Sequence, residues 1–566
     1  MIPQRIVRAT SRSAGTKELG CLSLLTLALL LPFVGKPLHV DDPMYVWTAK
    51  HIVEHPIDFY GLSVNWRGTM DSMAVVNKNP PGVSYWLAVV GALFGWSEPA
   101  LHAGMLVPAV VAVGGVWLLA RSLGAPPVLA SLSLLAMPGF LVSSTTLMAD
   151  VLATALWTWA VLAWVVGLQE RQTGWLSAGA FLAGLCFLTK YLGLALIPLL
   201  LAYTLVKCRR LEVRSLLLLL PLAIAVAYRA RMISRYGVDP FEGASSYLQQ
   251  EREGASAIEL LWIGLSFLGG ACLPALLFTN WIFGRRASAL IVVSILLVVA
   301  ALLGMQTLGN CPLRTPEGPR WGLVLQLALF TVSGALVFAL VIRHLSRHRT
   351  AEAILLALWV CGIFVFGSVL NWSTNVRALL PAAPAVAILL AAEVGAPRAR
   401  VVFGIPRGLL GMLGISALTA LLVAQGDQAF ARSARNAAHE IVRARTRAGQ
   451  PLWYQGAWGF QYYMDLEGAI KIDWNRVEAL PGDELVGTSS NSSPMVALEP
   501  AVARPVADFR TPVRAFASTL SGDVGAGFYS DRFGPAPYVF GFPPNQVYSV
   551  FVVQKRFFVS VVNESE

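Results

Sequence analysis

CLSLLTLALLLPFVG, residues 21–35, is long and apolar enough to enter a bilayer, and it is followed at once by PLHVDDPMY, residues 37–45. A chain leaving hydrocarbon therefore meets two adjacent carboxylates, Asp41 and Asp42. Carboxylates near hydrocarbon cost free energy, and adjacent like charges raise each other's pKa. The pair needs a reason, which depends on the side of the membrane and on what else gathers there. Upstream, Arg5, Arg8, Arg12 and Lys17 precede the apolar run as in a signal peptide. No small-x-small cleavage site comes before the aspartates, so the segment is expected to stay as an uncleaved first span.

The rest of the chain repeats the apolar theme. Of 566 residues, 56% are hydrophobic and 13% charged, with a mean hydropathy of +0.62. That composition predicts a polytopic α-helical membrane protein. Segments of spanning length fall near 20–37, 100–120, 126–145, 150–168, 175–190, 192–206, 213–233, 257–281, 287–305, 322–342, 353–371, 377–395 and 407–424. About thirteen transmembrane helices are expected, each near the ~20 residues a bilayer requires. The net charge of +11, from 43 basic and 32 acidic residues, is what basic cytoplasmic loops produce and calls for no nucleic acid.

Charge also sets orientation. With the N-terminus cytoplasmic, the inside connections carry Arg121, Arg171, Lys207/Arg209/Arg210, Arg285/Arg286, Arg343/Arg347/Arg349 and Arg398/Arg400/Arg407. The positive-inside rule is then satisfied at each connection, and an odd number of spans leaves the C-terminus outside. Asp41 and Asp42 become extracytoplasmic. Residues 1–424 form the expected transmembrane domain, with 38–99 as its first outer loop. PMYVWTAKHIVEH reads as a short helix there, with Asp42 as N-cap and Pro43 at the first helical position. PPGVSYWLAVVGALFGW reads as an interfacial helix. From 425 to 566 polarity rises and a small extracytoplasmic α/β domain is expected: ARSARNAAHEIVRARTRAG helical, PLWYQ a strand, GFQYYMDLEG a short helix, VYSVFVVQ a strand. The six cysteines show no zinc spacing and no disulfide framework. No internal repeat of spans is visible.

Few residues can carry chemistry. Capping, worth about 1 kcal/mol, accounts for Asp42 but not Asp41. Asp150 opens a span, where a helix N-terminus offers ~0.3–1 kcal/mol against a cost of ~2.5–3.5 kcal/mol for a charge at the helix centre. Unless it lies wholly in water, it needs a partner or a task. Lys78, Lys190, Arg229, Arg231, Arg235 and Arg377 lie on the outer side, where topology does not account for them. Each can snorkel to headgroups; together they suit an anionic lipid head, arginine through paired hydrogen bonds to phosphate. Tyr45, Trp47, Tyr60, Trp66, Tyr85 and Trp86 fit either sugar stacking or an interfacial aromatic belt. No Walker loop, dinucleotide fingerprint, HExxH or GxSxG triad appears.

The ordered set of an acidic pair after span one, NKNPPGVSYWL closing the first outer loop, Asp150, FLTK, RALLP and an outer domain resembles the C-type glycosyltransferase superfamily (GT-C). It is most similar to the family 39-like group holding protein O-mannosyltransferases and lipid A aminoarabinose transferases. The resemblance implies a GT-C fold in the inner (cytoplasmic) membrane. It implies a polyprenyl-phosphate-linked sugar donor and an envelope acceptor hydroxyl on a lipid, glycan or protein. Asp41 is then the general base, with Asp42 and Asp150 as further catalytic carboxylates. Tyr45, Lys78, Tyr85, Lys190, Arg229, Arg231 and Arg377 become substrate-binding candidates. The second acid is Asp where the family has Glu, and Asn79 separates Lys78 from Pro80 where the family has Lys-Pro-Pro. Phosphate leaves without protonation, so one base and a cationic clamp suffice, unlike the paired acids of glycosidases. A divalent metal on the aspartates suits hard oxygen ligands but is dispensable beside these cations. Two rivals are carried forward. One is a transporter or flippase for a lipid-linked or anionic substrate, which would need polar groups near the midplane. The other is a lipid-linked oligosaccharide polymerase or ligase, which would take a diphosphate donor.

Overall fold

The structure, a computed structural model, describes residues 7–242, 256–394, 401–402, 405–446, 450–488 and 499–556. Arg398 and Arg400 of the expected cytoplasmic charge pattern lie outside them. The architecture is a polytopic helical bundle with a small α/β unit at its C-terminal end. Among the described residues, ten helices are long and apolar enough to cross a membrane, from Gly15–Phe33 to Arg407–Arg445.

The other expected spans depart from that length for local reasons. Thr173–Thr189 and Ala257–Ala271 are apolar but shorter. The segment at 126–145 is divided into Pro127–Leu135 and Pro138–Ser143. Pro138 offers no N–H and pushes Met137 out of the helical region, and Met137 is indeed extended. Gly82–Phe94, the expected interfacial helix, has 13 residues. The last span does not stop near 424: Arg407–Arg445 is one continuous 39-residue helix, so the boundary expected between 424 and 425 falls inside it.

Beyond that helix lies a five-stranded sheet in the order Ile470–Lys471, Leu452–Tyr454, Glu484–Thr488, Gln546–Val553, Ala503–Thr511. The first three strands run parallel and the last two join antiparallel. The helix Trp458–Leu466 connects the first two parallel strands, as a parallel pair requires. Strands Leu452–Tyr454 and Gln546–Val553 match the expected PLWYQ and VYSVFVVQ segments.

The first loop and the C-terminal unit are tied together. Gln461 donates to the Asn65 carbonyl at 2.8 Å, Asn65 donates to the Ile472 carbonyl at 2.8 Å, and the Trp474 amide reaches the Gly68 carbonyl. Gly459 passes so near the first loop that a Cβ there would lie 2.2 Å from the Leu38 carbonyl oxygen. The Leu38 amide donates to the Tyr463 hydroxyl at 2.8 Å. The stretch leading to Asp41 is thus held from outside the bundle.

Candidate functional site

Asp150, the first residue of helix Asp150–Glu170, is buried. Its two oxygens are both taken by cations: Lys190 Nζ at 2.6 Å and Arg377 Nε at 2.8 Å. A carboxylate that a span start cannot carry alone thus has two partners. Arg377 follows Asn375, whose side chain caps the next helical turn by accepting from the Ala378 amide at 2.7 Å. Its guanidinium also donates to Asp41 Oδ2 at 2.8 Å. Lys190 sits where helix Thr173–Thr189 ends, and its ammonium also reaches the Arg377 carbonyl at 3.1 Å. Gly82 permits the PPG helix to lie against that end, since a Cβ there would be 2.6 Å from the Leu188 carbonyl oxygen. Four residues far apart in sequence therefore form one chain of charge, Asp41–Arg377–Asp150–Lys190.

This chain opens on a cavity of about 680 Å³ lined by Asp41, Tyr45, Lys78, Lys190 and Arg377 among others. Asp41 is its most open member, with 25% of its side chain exposed against 1% for Asp150. The backbone before it is unusual: Val40, a buried β-branched residue, has φ +46°, a conformation that costs about 1–3 kcal/mol. Trp458, also on the cavity wall, has φ +63°. Both strained residues lie where the first loop and the C-terminal unit meet.

Asp42 differs from its neighbour, and its expected cap role is corrected. The helix begins at Asp42, and no side chain caps it. The Asp42 carboxylate instead turns inward, accepting from the His39 amide and the Leu147 amide, each at 2.9 Å. Burial pushes its pKa up to about 7. Asp42 fixes the loop carrying Asp41 to the segment leading into Asp150, and it does not line the cavity. Tyr45 does line it, buried and accepting from Asn79 Nδ2 at 3.2 Å; burial raises its pKa, which keeps the phenol neutral.

The remaining candidates lie elsewhere. Tyr85 donates to the Pro56 carbonyl at 2.5 Å, Arg231 donates to the Ile57 carbonyl at 3.0 Å, and neither lines the cavity. Arg229 is exposed and forks onto Asp239. It reaches the cavity wall only through that partner, since Asp239 lines it.

Sequence reasoning missed a second charged cluster. Asp427, wholly buried in Arg407–Arg445, accepts from Lys36 Nζ at 2.5 Å, Thr519 Oγ1 at 2.5 Å and the Tyr529 hydroxyl at 2.8 Å. His39 Nε2 lies 3.4 Å away. Tyr529 also lines the cavity, as do Arg67, Trp372, Trp458, Arg532 and Phe533. The available signal was a lysine directly after the first span and an aspartate inside a helix of spanning length. Nothing in sequence paired them.

Fold and site together define a multi-pass membrane protein with a cation-rich, carboxylate-bearing cavity at one end of its bundle. Residues 78–231 match the family model described as dolichyl-phosphate-mannose-protein mannosyltransferase, and the chain resembles the GT-C glycosyltransferases. No curated protein matches the chain. Among solved structures, ArnT from Cupriavidus metallidurans bound to undecaprenyl phosphate is similar at 16% identity and TM-score 0.40, over 84% of this chain and 94% of that one. AglB from Archaeoglobus fulgidus, in complex with an inhibitory peptide and a dolichol-phosphate, is similar at 16% identity and TM-score 0.44, over 81% and 64%. The arabinofuranosyltransferase AftD from Mycobacteria is similar at 12% identity and TM-score 0.34, over 95% and 40%.

Proposed function

We propose that the chain is an integral-membrane glycosyltransferase that moves a sugar from a polyprenyl-phosphate donor to a hydroxyl of an envelope acceptor. One observation carries the reading: Arg377 bridges Asp41 and Asp150 at the wall of the cavity. Reaction at an anomeric carbon with phosphate leaving needs a base for the incoming hydroxyl and positive charge for the departing oxygens. Asp41 supplies the base. Arg377 holds Oδ2, which leaves Oδ1 for the acceptor proton. Arg377 and Lys190 face the phosphate, while Asp150 keeps both cations oriented and offsets their mutual repulsion. Lys78 adds positive charge on the same cavity wall. A single displacement inverts the anomeric centre. In the expected topology, the cavity opens on the extracytoplasmic face, where lipid-linked donors are the accessible form of activated sugar.

The match over residues 78–231 supports the same class. The transporter alternative requires polar groups at depth, but the stretch between Arg377 and Glu393 on the helix lining the site, ALLPAAPAVAILLAA, carries no charge.

The test is sugar transfer in vesicles with purified Asp41→Asn. Transfer is expected to fall by about 10²–10⁴-fold, the usual worth of a positioned base, while binding of polyprenyl-phosphate sugar is retained. Unchanged turnover removes Asp41 from the role. Loss of donor binding in parallel with transfer would assign Asp41 to binding instead.

A further inference from the structure

The helix Val376–Glu393 carries Arg377 near its start and ends at Glu393, about 24 Å from Arg377 at ~1.5 Å per residue. There it meets the end of helix Trp321–His348, which starts beside the C-terminal unit: Arg320 donates to the Asp523 carbonyl there. Both helices run from the cavity end of the bundle to the opposite face. At that face, one Glu393 oxygen, Oε1, lies 2.9 Å from His344 Nδ1 and 3.5 Å from His348 Nε2. The three ligand atoms all fall within 4.8 Å of one another.

We infer that His344, His348 and Glu393 form a divalent transition-metal site, zinc being the natural occupant, on the face of the bundle opposite the cavity. The reading is independent of the transferase proposal. Zinc bonds of ~2.0–2.1 Å in a tetrahedron put neighbouring donor atoms about 3.3 Å apart; the two separations from Oε1 bracket that value, and the third, within 4.8 Å, closes toward it as the half-exposed His348 ring turns inward. Residues 344 and 348 lie four apart on one helix and so project from one side, as two imidazole ligands of one ion must. The third ligand comes from a second helix, and three protein ligands leave a fourth position for water.

Two arginines argue against a cation here, and their geometry answers the objection. Arg343 Nε at 2.9 Å and Arg347 at 3.2 Å both take the other oxygen, Oε2. They fix the carboxylate with Oε1 turned to the imidazoles, the orienting role that outer partners play at metal sites. Binding leaves these bonds intact. Their charge lowers the affinity, so the site is expected to exchange its ion readily. Metal would clamp together two helices, one of which carries Arg377 at its other end.

The test is calorimetric titration of chelator-stripped full-length protein in detergent micelles with Zn²⁺, together with X-ray absorption and thermal melting. One ion per chain is expected, with a nitrogen and oxygen shell free of sulfur, and with a raised melting temperature. His348→Ala leaves the Glu393–arginine bonds in place and should weaken binding at least about tenfold, the low end of what losing even an outer partner of a metal site costs. It should also abolish the melting shift. Glu393→Gln should weaken binding as much. His51→Ala serves as control, because His51 and His55 form a second histidine pair four residues apart, and its affinity should match the wild type. No binding in the wild type, a sulfur-containing shell, or equal affinity in His348→Ala would overturn the proposal.

Discussion

Two of the buried charge clusters lie close to one another, and they are built to opposite ends. In the first, Arg377 joins Asp41 to Asp150 and Lys190, and three of the four side chains keep between 12% and 25% of their surface open. In the second, Asp427 and Lys36 are fully enclosed, with Thr519 and Tyr529 donating to the same carboxylate. The first presents Asp41, Arg377 and Lys190 to a cavity. The second spends its carboxylate on partners from the first loop and the C-terminal unit. An enclosed, fully hydrogen-bonded pair holds parts together; a half-open one can exchange a protein partner for a substrate. Burial of charge alone does not distinguish the proposed site from a fastening.

Mutation should separate them. The largest effect belongs to Asp41: transfer lost with the melting temperature near wild type, because a partly exposed carboxylate is replaced by an isostere that can still accept from Arg377. Asp427→Ala should do the reverse. It leaves Lys36 buried without its counter-charge, a change that costs about 3–5 kcal/mol, so lower melting and poor recovery from membranes are expected before any change in turnover per folded molecule. The double variant Lys36→Met/Asp427→Leu should recover part of that loss, since apolar replacement of an enclosed pair is often tolerated. If Asp427→Ala melts normally yet transfers no sugar, the contrast between the clusters fails.

Asp42 gives a smaller, pH-dependent effect. Its folded pKa is raised to about 7, above the ~3.9 of an unfolded chain. The folded state therefore binds the proton more tightly, and stability contributed by Asp42 is present in acid and lost as pH rises toward 7. Relative to Asp42→Asn, which does not titrate, the wild type should lose up to about 1.4 kcal/mol per pH unit between roughly pH 4 and 7. Melting both proteins across that range checks the slope. A parallel pair of curves would mean that Asp42 stays ionised throughout.

The two clusters also differed in how far sequence exposed them. Asp150, Lys190 and Arg377 were legible because a charge at a span end has a cost, and three such residues invite one explanation. The span positions were legible from hydropathy, apart from the breaks at Pro138 and the shorter helices. Asp427 was not, because its lysine lies 391 positions away and its hydroxyl partners lie 92 and 102 residues further along the chain. Strand Glu484–Thr488 was missed for a similar reason: five residues between turns carry little pattern of their own. Asp41 and Asp42 were indistinguishable by type, and only the turn at Val40 sends one outward and the other inward. Tyr85 was singled out as an aromatic able to stack on a sugar and Arg231 as a cation on the outer side; the structure places both off the cavity wall, where each ties down the loop at residues 56–57.

Arg229 offers the smallest expected effect and the sharpest use of the comparison. It resembles Arg377 in type and in having a carboxylate partner, but its side chain is 52% exposed where Arg377 is 12% exposed. Exposed ion pairs contribute little, because water and salt screen them and holding two long side chains costs entropy. Arg229→Gln should therefore leave the melting temperature unchanged and transfer within about twofold of wild type, the scale expected for a weak surface pair. Its partner Asp239 stands on the cavity wall, so one route to a larger effect exists. Freed from Arg229, Asp239 would place uncompensated negative charge near the phosphate and raise the KM for the donor. Such a rise, suppressed in Arg229→Gln/Asp239→Asn, would extend the working cluster outward beyond Lys190.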